Sequence, residues 1–470
     1  MKEENLRNAF YFLENEDSDI LLHIPSSSIF RITDSELSQK MRDFFISKNY
    51  QSVIDQMLRD ICSDKEEKLN CLECSVLEQI GTEAKDFSIG KLSLVLTSDC
   101  NLRCEYCYAN FGMYDYEKRN NFTEEKLYEG LNYLVSNFKE IKVIQFFGGE
   151  PSLCTKQIEF VVNFFSQKKK DGIIPKVPVF GIVTNGVLLP QKLLQLYKDH
   201  DFAITISLDG PQEINDRLRY DVREKGHYED VINNYQQLIE SGIRNIGFEC
   251  TYTNEHINRG ISYSDLARFF FATFGSQATH IVPVNIDVDH ELSVFKNIDK
   301  YKEYVREIVN LTFTQITTGE KVTSISLVLG ILFRLINQIQ ESRICPAGIQ
   351  TFSLSHDNQL SPCFMYTSRD EIAYGYAGEN PNEIVRKATA FDAQVNNKLK
   401  SRNCLNCPAR TVCSSCLGGF EISKDNLELT NPVFCQTINE ILKQSLINIG
   451  LLKSNSEAWS SFQSNLRRAI

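Results

Sequence analysis

What this 470-residue chain does not contain removes several classes of protein at the outset. It has no block of Lys and Arg: 50 basic side chains stand against 61 acidic ones, a net charge of −11, so nucleic acid is not an expected partner. It has no long apolar run. The most apolar later stretch, Ile325–Ile336, is about a dozen residues long and carries Arg334, too short to span a bilayer. The opening residues, MKEENLRNAFYFLENEDSD, are acidic and lack the basic-then-apolar order of a secretion signal. A cytoplasmic protein with no membrane partner is expected, long enough for two or three domains with cores of their own.

Without an export signal, 15 cysteines are not expected to form a disulfide framework. Their grouping points to metal instead. Cys100, Cys104 and Cys107 form one group, and Cys345, Cys363, Cys404, Cys407, Cys413, Cys416 and Cys435 form a second in the last third of the chain.

The first group follows an apolar run in LSLVLTSDCNLRCEYCY, Leu92–Tyr108. That run suits a strand buried on both faces, which places the cysteines just past the carboxyl end of a parallel strand, the edge where α/β folds build active sites. Three thiolates at C-x3-C-x2-C spacing can hold three irons of a cubic [4Fe–4S] cluster and leave the fourth open. Zinc needs a fourth ligand, and no further Cys or His follows in this loop. The loop resembles the signature of the radical S-adenosylmethionine (SAM) superfamily, C-x3-C-x-aromatic-C, with Tyr106 in the aromatic place. The resemblance implies that the open iron chelates SAM and that one electron cleaves it to methionine and a 5′-deoxyadenosyl radical.

From residue 91 to about 300, strand-like runs alternate with amphipathic helices. The strands are Lys91–Thr97, Val143–Phe147, Val179–Thr184, Ala203–Leu208, Ile246–Thr251 and His280–Val284, and helices fall near Leu127–Leu134, Ile158–Phe165 and Leu193–Tyr197. Six such repeats predict an open parallel barrel, a partial (β/α)6 TIM-like fold, in agreement with the radical SAM resemblance. Gly148, Gly149 and Glu150 follow the second strand and match the family's GGE motif, which implies contact with the methionine amino group. In SLDGPQEINDRLR, which resembles radical SAM peptide and protein modifiers, Ser207 and Arg219 are implied to bind the SAM carboxylate and ribose region. A planar guanidinium suits a carboxylate. Asn215 stands where that stretch usually has His, and Asp209 is read as a turn residue. Cys154 and Cys250 are expected in the core.

Residues 1–80 read as a small domain: strands Ala9–Leu13, Ile20–Ile24 and Ile29–Ile32, then a helix opened by a Thr33-x-x-Glu36 capping box, then a second helix carrying Val53, Ile54, Met57 and Leu58. Its architecture and position resemble the winged-helix peptide-recognition domain of enzymes that modify ribosomally made peptides. Cys71 and Cys74 form a C-x2-C pair with no further ligands nearby, and are read as buried or incidental thiols.

The second cysteine group, with CLNCPARTVCSSC at its centre, leaves only five residues between Cys407 and Cys413. Paired zinc knuckles commonly leave about 15 to 20. The order resembles the SPASM extension of radical SAM enzymes, with Asn358 in place of a Gly and Cys416 one residue early. The resemblance implies an outer auxiliary cluster on Cys404, Cys407, Cys413 and Cys435, and an inner one on Cys345, Cys363 and Cys416. Three [4Fe–4S] clusters are then expected in all. With only three cysteines implied for it, the inner one would have an open iron that could take a substrate thiolate. The expected division is an N-terminal winged-helix-like domain (1–80), the barrel (88–300), connecting helices (301–344), a Cys-rich SPASM domain (345–436) and C-terminal helices (437–470).

The resulting expectation is a radical SAM maturase that forms thioether crosslinks in a ribosomally made precursor peptide, with a flavodoxin- or ferredoxin-like electron donor. A sulfatase-maturing enzyme that makes formylglycine is the alternative. That family places an acidic residue directly after the cysteine that is here Cys363, whereas this chain has Phe364. Carbon–carbon crosslinking is a third option, and a non-catalytic iron–sulfur or zinc protein for electron transfer or regulation lies outside the enzyme class.

Overall fold

The protein is represented by a computed structural model that describes residues 3–49, 51–63, 83–276, 278–423 and 426–469. Cys71 and Cys74 lie outside the described residues. After a short helix, Glu3–Asn8, comes an antiparallel meander: β1 (Phe10–Leu13), β2 (Asp19–His23) and β3 (Ser28–Ile32). Helices Ser35–Phe45 and Ser52–Ser63 close over one face, burying Leu21, Met41, Phe44, Ile54 and Leu58. The opposite face of β2 carries Ile20 and Leu22 into the main core. Alternation therefore serves two cores at once, and all of β2 is buried. The cap of the first of these helices is Asp34, not Thr33: its carboxylate accepts from Leu37 N at 2.7 Å. Asp34 precedes the first helical residue, and its carboxylate reaches the third amide directly.

Among the described residues the main sheet has ten strands. Six of them, β4 (Ser88–Val95), β5 (Glu140–Phe147), β6 (Val179–Thr184), β7 (Ala203–Ser207), β8 (Ile246–Tyr252) and β9 (Ala278–Pro283), pair in parallel, each with its successor. Helices on the outside cover them. Thr123 caps Glu124–Asn137 through Lys126 N, and Leu127, Leu131 and Leu134 form the buried face of that helix. This is the mixed α/β fold with a central parallel sheet that the six repeats predict, in keeping with a partial barrel.

Both edges of that parallel set are extended. The short β10 (Ser324–Ile325) adds parallel to β9. On the other side β11 (Thr351–Ser355) pairs in parallel with β4, from Thr351 opposite Lys91 to Ser355 opposite Val95. It then turns through Asn358 into β12 (Gln359–Ser361), and β13 (Gly375–Tyr376) completes the edge. Asn358 has φ +66°, the left-handed conformation that Asn tolerates. The cysteine-rich third is thus joined to the barrel by continuous hydrogen bonding. A last hairpin, β14 (Phe420–Ser423) and β15 (Asn426–Leu429), leads into the helix Val433–Leu452. That helix packs on Ile298–Thr318, where Arg306 pairs with Glu440 at 2.7 Å. Among the described residues no helix is long and apolar enough to cross a membrane.

Candidate active site

A cavity of about 710 Å3 opens at the carboxyl ends of the parallel strands. Each strand end contributes to it: Phe147 from β5, Thr184 from β6, Ser207 from β7, Glu249 and Thr251 from β8, Val282 from β9. The loop after β4 brings Cys100, Cys104 and Cys107 to one wall, and Cys416 stands on another.

The three-cysteine loop is shaped by close backbone approach. A Cβ on Gly149 would sit 2.1 Å from the Asp99 carbonyl oxygen, and Gly148 has φ +137°, so neither position accepts a side chain without moving the loop. Glu150 N donates to Asp99 O at 2.8 Å, tying the two loops together. Sulfurs in this loop receive main-chain amides, Leu102 N at 3.4 Å from Cys100 Sγ and Phe111 N at 3.2 Å from Cys107 Sγ. Burial pushes the Cys100 thiol up to about 12, with further upward contributions from Glu150 and from Cys104 and Cys107. Burial likewise pushes Cys104 up to about 11, and Arg219 opposes it. Burial thus favours neutral thiols at Cys100 and Cys104, and a cationic group bound there would favour their thiolates. Among the described residues no three His, Cys, Asp or Glu side chains converge closely enough for a single metal ion. A cubic cluster takes one iron per thiolate and holds its ligands further apart, so the donor set fits it.

Beside these cysteines lies a buried polar chain. Arg219 Nη1 donates to the Tyr106 hydroxyl at 2.8 Å, and that hydroxyl donates to Asp209 Oδ2 at 2.5 Å. Asp209 Oδ1 accepts from Thr251 N at 3.0 Å, and the Asp209 amide donates to Asn215 Oδ1 at 3.3 Å. Asp209 is therefore the anchor of this network rather than only a turn residue, and Asn215 supports it. Burial works against the Arg219 charge, but Cys104, Tyr106 and Asp209 outweigh it and push the pKa further up.

Glu150 is 1% exposed and its carboxylate is engaged within the protein. It accepts from Ser152 N at 2.9 Å, Thr184 Oγ1 at 2.7 Å and Asn185 N at 2.7 Å. It thereby fixes Asn185, a residue that the sequence alone did not single out. Asn185 Nδ2 donates to Asn101 Oδ1 at 2.8 Å and lies 3.9 Å from Cys100 Sγ. Its position after the third parallel strand, with Gly186 behind it, was the available signal.

The seven later cysteines separate into two sets. Burial pushes Cys345 up to about 12, with Cys416 and Cys363 adding to it, and Cys363 up to about 11, with Cys416 adding. Cys435, on the first turn of its helix, is pushed up to about 12 by burial and then by Cys413, Cys407 and Cys404. Cys404, Cys407 and Cys413 lie within one short loop. The first set borders the cavity through Cys416, and no cysteine of the second set lines it. Tyr108, half exposed as a residue, has its hydroxyl turned into the cavity wall, where desolvation and then Tyr114 raise its pKa, with smaller contributions from Cys363 and Cys107. Cys154 and Cys250 are buried in the core, 2% and 0% exposed.

Residues 94–270 match the radical SAM superfamily. The chain thus carries a radical SAM domain over these residues and is an enzyme; the chemistry of that domain implies a [4Fe–4S] cluster and SAM. Among characterised proteins it is similar to the cysteine-type anaerobic sulfatase-maturating enzyme of Clostridium novyi (strain NT), 26% identical over 382 residues, which are 76% of this chain and 96% of the relative. It is also similar to the radical SAM cyclopropyl synthase TigE of Paramaledivibacter caminithermalis, 22% identical over 76% of this chain and 74% of that one. Of solved structures, anSMEcpe with bound AdoMet and Cp18Cys peptide superposes with a TM-score of 0.62 at 19% identity, over 77% of this chain and 99% of that chain. That likeness is one of fold.

Proposed function

We propose that this enzyme forms thioether crosslinks in a ribosomally made peptide. The observation that carries the reading is that Cys416, of the inner cysteine set, opens into the same cavity as Cys100, Cys104 and Cys107. Cys345, Cys363 and Cys416 would hold an auxiliary cluster with one iron left for a substrate thiolate, and Cys404, Cys407, Cys413 and Cys435 a second with none. With the first cluster and SAM bound, the site would supply hydrogen-atom abstraction from a substrate C–H, with 5′-deoxyadenosine as its product; joining the thiol sulfur to that carbon also releases one proton and one electron, for which auxiliary clusters held by these later cysteines would be the acceptor.

The chain's own residues orient this. Arg219, held by Tyr106, and Ser207 face the side of the cavity where SAM would lie, and the Gly148–Gly149 backbone leaves room for its methionine end. Phe364 and Phe147 wall off the space between the two cysteine sets and keep water from it. The N-terminal meander with its helices is read as the winged-helix-like unit that captures the precursor, and the Cys345–Cys435 segment as a SPASM-type module.

Formylglycine formation is the second reading. It is favoured by the Clostridium novyi relative, which this chain covers almost end to end. Against it stands Phe364, an apolar ring lining the cavity directly after Cys363. The two readings separate on a cysteine-containing substrate peptide. A thioether product has lost two hydrogens, keeps its sulfur and resists thiol alkylation. A formylglycine product has lost the sulfur, and a carbon–carbon crosslink leaves the thiol open to alkylation. Retention of an alkylatable thiol, or its loss as sulfide, overturns the thioether reading.

A further inference from the structure

Two cations sit in the walls of the four-cysteine set, and neither is paired with a carboxylate among the described residues. Lys398 is 2% exposed. Its Nζ donates to two main-chain oxygens, Cys413 O at 2.6 Å and Glu341 O at 2.9 Å. On the other side, Arg410 Nη1 donates to Leu405 O at 2.6 Å and to Asn8 O at 3.2 Å. The nearby carboxylates are occupied elsewhere: Glu341 Oε1 accepts from Arg343 N at 3.0 Å, and Asp392 pairs with Arg343 at 3.0 Å.

A buried ammonium with only carbonyl partners is costly unless an anion faces it. Burial draws the Lys398 pKa down, and the groups that oppose this are Cys413, Glu341 and Cys404, with Arg334 acting against them. For Arg410, burial again lowers the pKa and Cys407 opposes it. Both cations thus face sulfurs of the same four-cysteine set, Lys398 those of Cys413 and Cys404 with Glu341 between them in weight, and Arg410 that of Cys407.

We propose that Lys398 is the counter-charge of an iron–sulfur cluster held by Cys404, Cys407, Cys413 and Cys435 and raises its reduction potential, with Arg410 acting in the same sense from the Cys407 side. This rests on the reading of that set as the outer cluster site. The sign follows from charge: a nearby cation stabilises the reduced, more negative form over the oxidised one, so removing it lowers the potential. Lys398 reaches the sulfur set from inside the protein, where screening by solvent is weak. Arg410 is more accessible and should count for less.

The test uses the full chain with Cys100→Ala, Cys104→Ala and Cys107→Ala, reconstituted anaerobically with iron and sulfide, so that only the auxiliary centres remain. Their midpoints are read by redox titration with electron paramagnetic resonance. Lys398→Met should shift one reduction equilibrium about tenfold toward the oxidised form, about 59 mV for one electron, and leave the other centre as an internal control. Lys398→Arg should stay near the parent value, and Arg410→Met should shift the same centre less. Unchanged midpoints in an iron-replete Lys398→Met protein, or an equal shift in Lys398→Arg, overturn the proposal. If Lys398→Met does not load the outer centre, loading by Lys398→Arg but not by Lys398→Gln supports it, and equal behaviour of those two overturns it. A parent that binds about four irons instead of about eight, or zinc in their place, sinks the outer-cluster reading itself and this inference with it.

Discussion

Phe147 and Phe364 stack with ring centroids 4.0 Å apart and planes 26° from parallel. The first immediately precedes Gly148-Gly149-Glu150, and the second immediately follows Cys363. One aromatic contact therefore joins the loop beside the first cysteine set to a member of the inner one, and Tyr108 adds a third ring, 6.4 Å from Phe364.

Phe364→Ala should open this partition. The loss of stability is expected to be about 1–3 kcal/mol, less than for a fully enclosed Phe. The larger effect should be on coupling: SAM cleavage continues while less of it ends in modified peptide. Quantifying 5′-deoxyadenosine against product in the same reaction checks this, and an unchanged ratio would leave the rings with a packing role only.

Gly149→Ala should act on one cluster alone. Its Cβ would collide with the Asp99 carbonyl next to Cys100, and backbone cannot yield as a flexible side chain can. Iron content is expected to fall by about four per chain, with the auxiliary centres intact by spectroscopy.

Tyr106→Phe removes the hydroxyl that lies between Arg219 and Asp209, both buried. Leaving buried charged groups short of a hydrogen bond costs about 2–3 kcal/mol. The apparent KM for SAM should rise roughly tenfold, and more in Arg219→Met, while iron content stays at the parent level. The SAM dependence of 5′-deoxyadenosine formation measures it.

How far this network could be read in advance follows from what kind of contact it is. The six parallel strands were legible because each is a short apolar run ending in Gly, Asn or Asp, and the helix cap at Thr123 follows a local rule. The cysteine spacings carry their chemistry in the sequence itself. Contacts between distant segments had no local signal. The pairing of β11 with β4, the engagement of Glu150 by Thr184 and Asn185, and the approach of Arg410 to Asn8 each depend on how separate segments meet in space. The Thr33 box failed by one residue because Thr33 and Asp34 are both competent caps, and packing chooses between them.

A pH dependence should come from His256, which is fully buried. Thr253 N donates to its Nδ1 at 3.1 Å, so Nε2 carries the proton and donates to Asp209 O at 2.8 Å. Burial holds its pKa below 6.5, and burial does the same for His356. The folded state thus binds fewer protons than the unfolded one in this range. Stability is complete above pH 6.5 and is lost as pH falls below it, by up to about 1.4 kcal/mol per pH unit for each histidine. Urea midpoints between pH 7 and pH 5 should fall accordingly, and the slope should flatten in His256→Gln.

The central claim is that hydrogen abstraction and sulfur coupling use two cysteine sets facing one cavity. A substrate peptide deuterated at the acceptor carbon tests it most directly. With the parent enzyme, deuterium should appear in 5′-deoxyadenosine and the thioether should form. With Cys416→Ala, deuterium should still appear while the thioether is lost. Unlabelled 5′-deoxyadenosine from the parent, or full thioether yield from Cys416→Ala, would contradict the account.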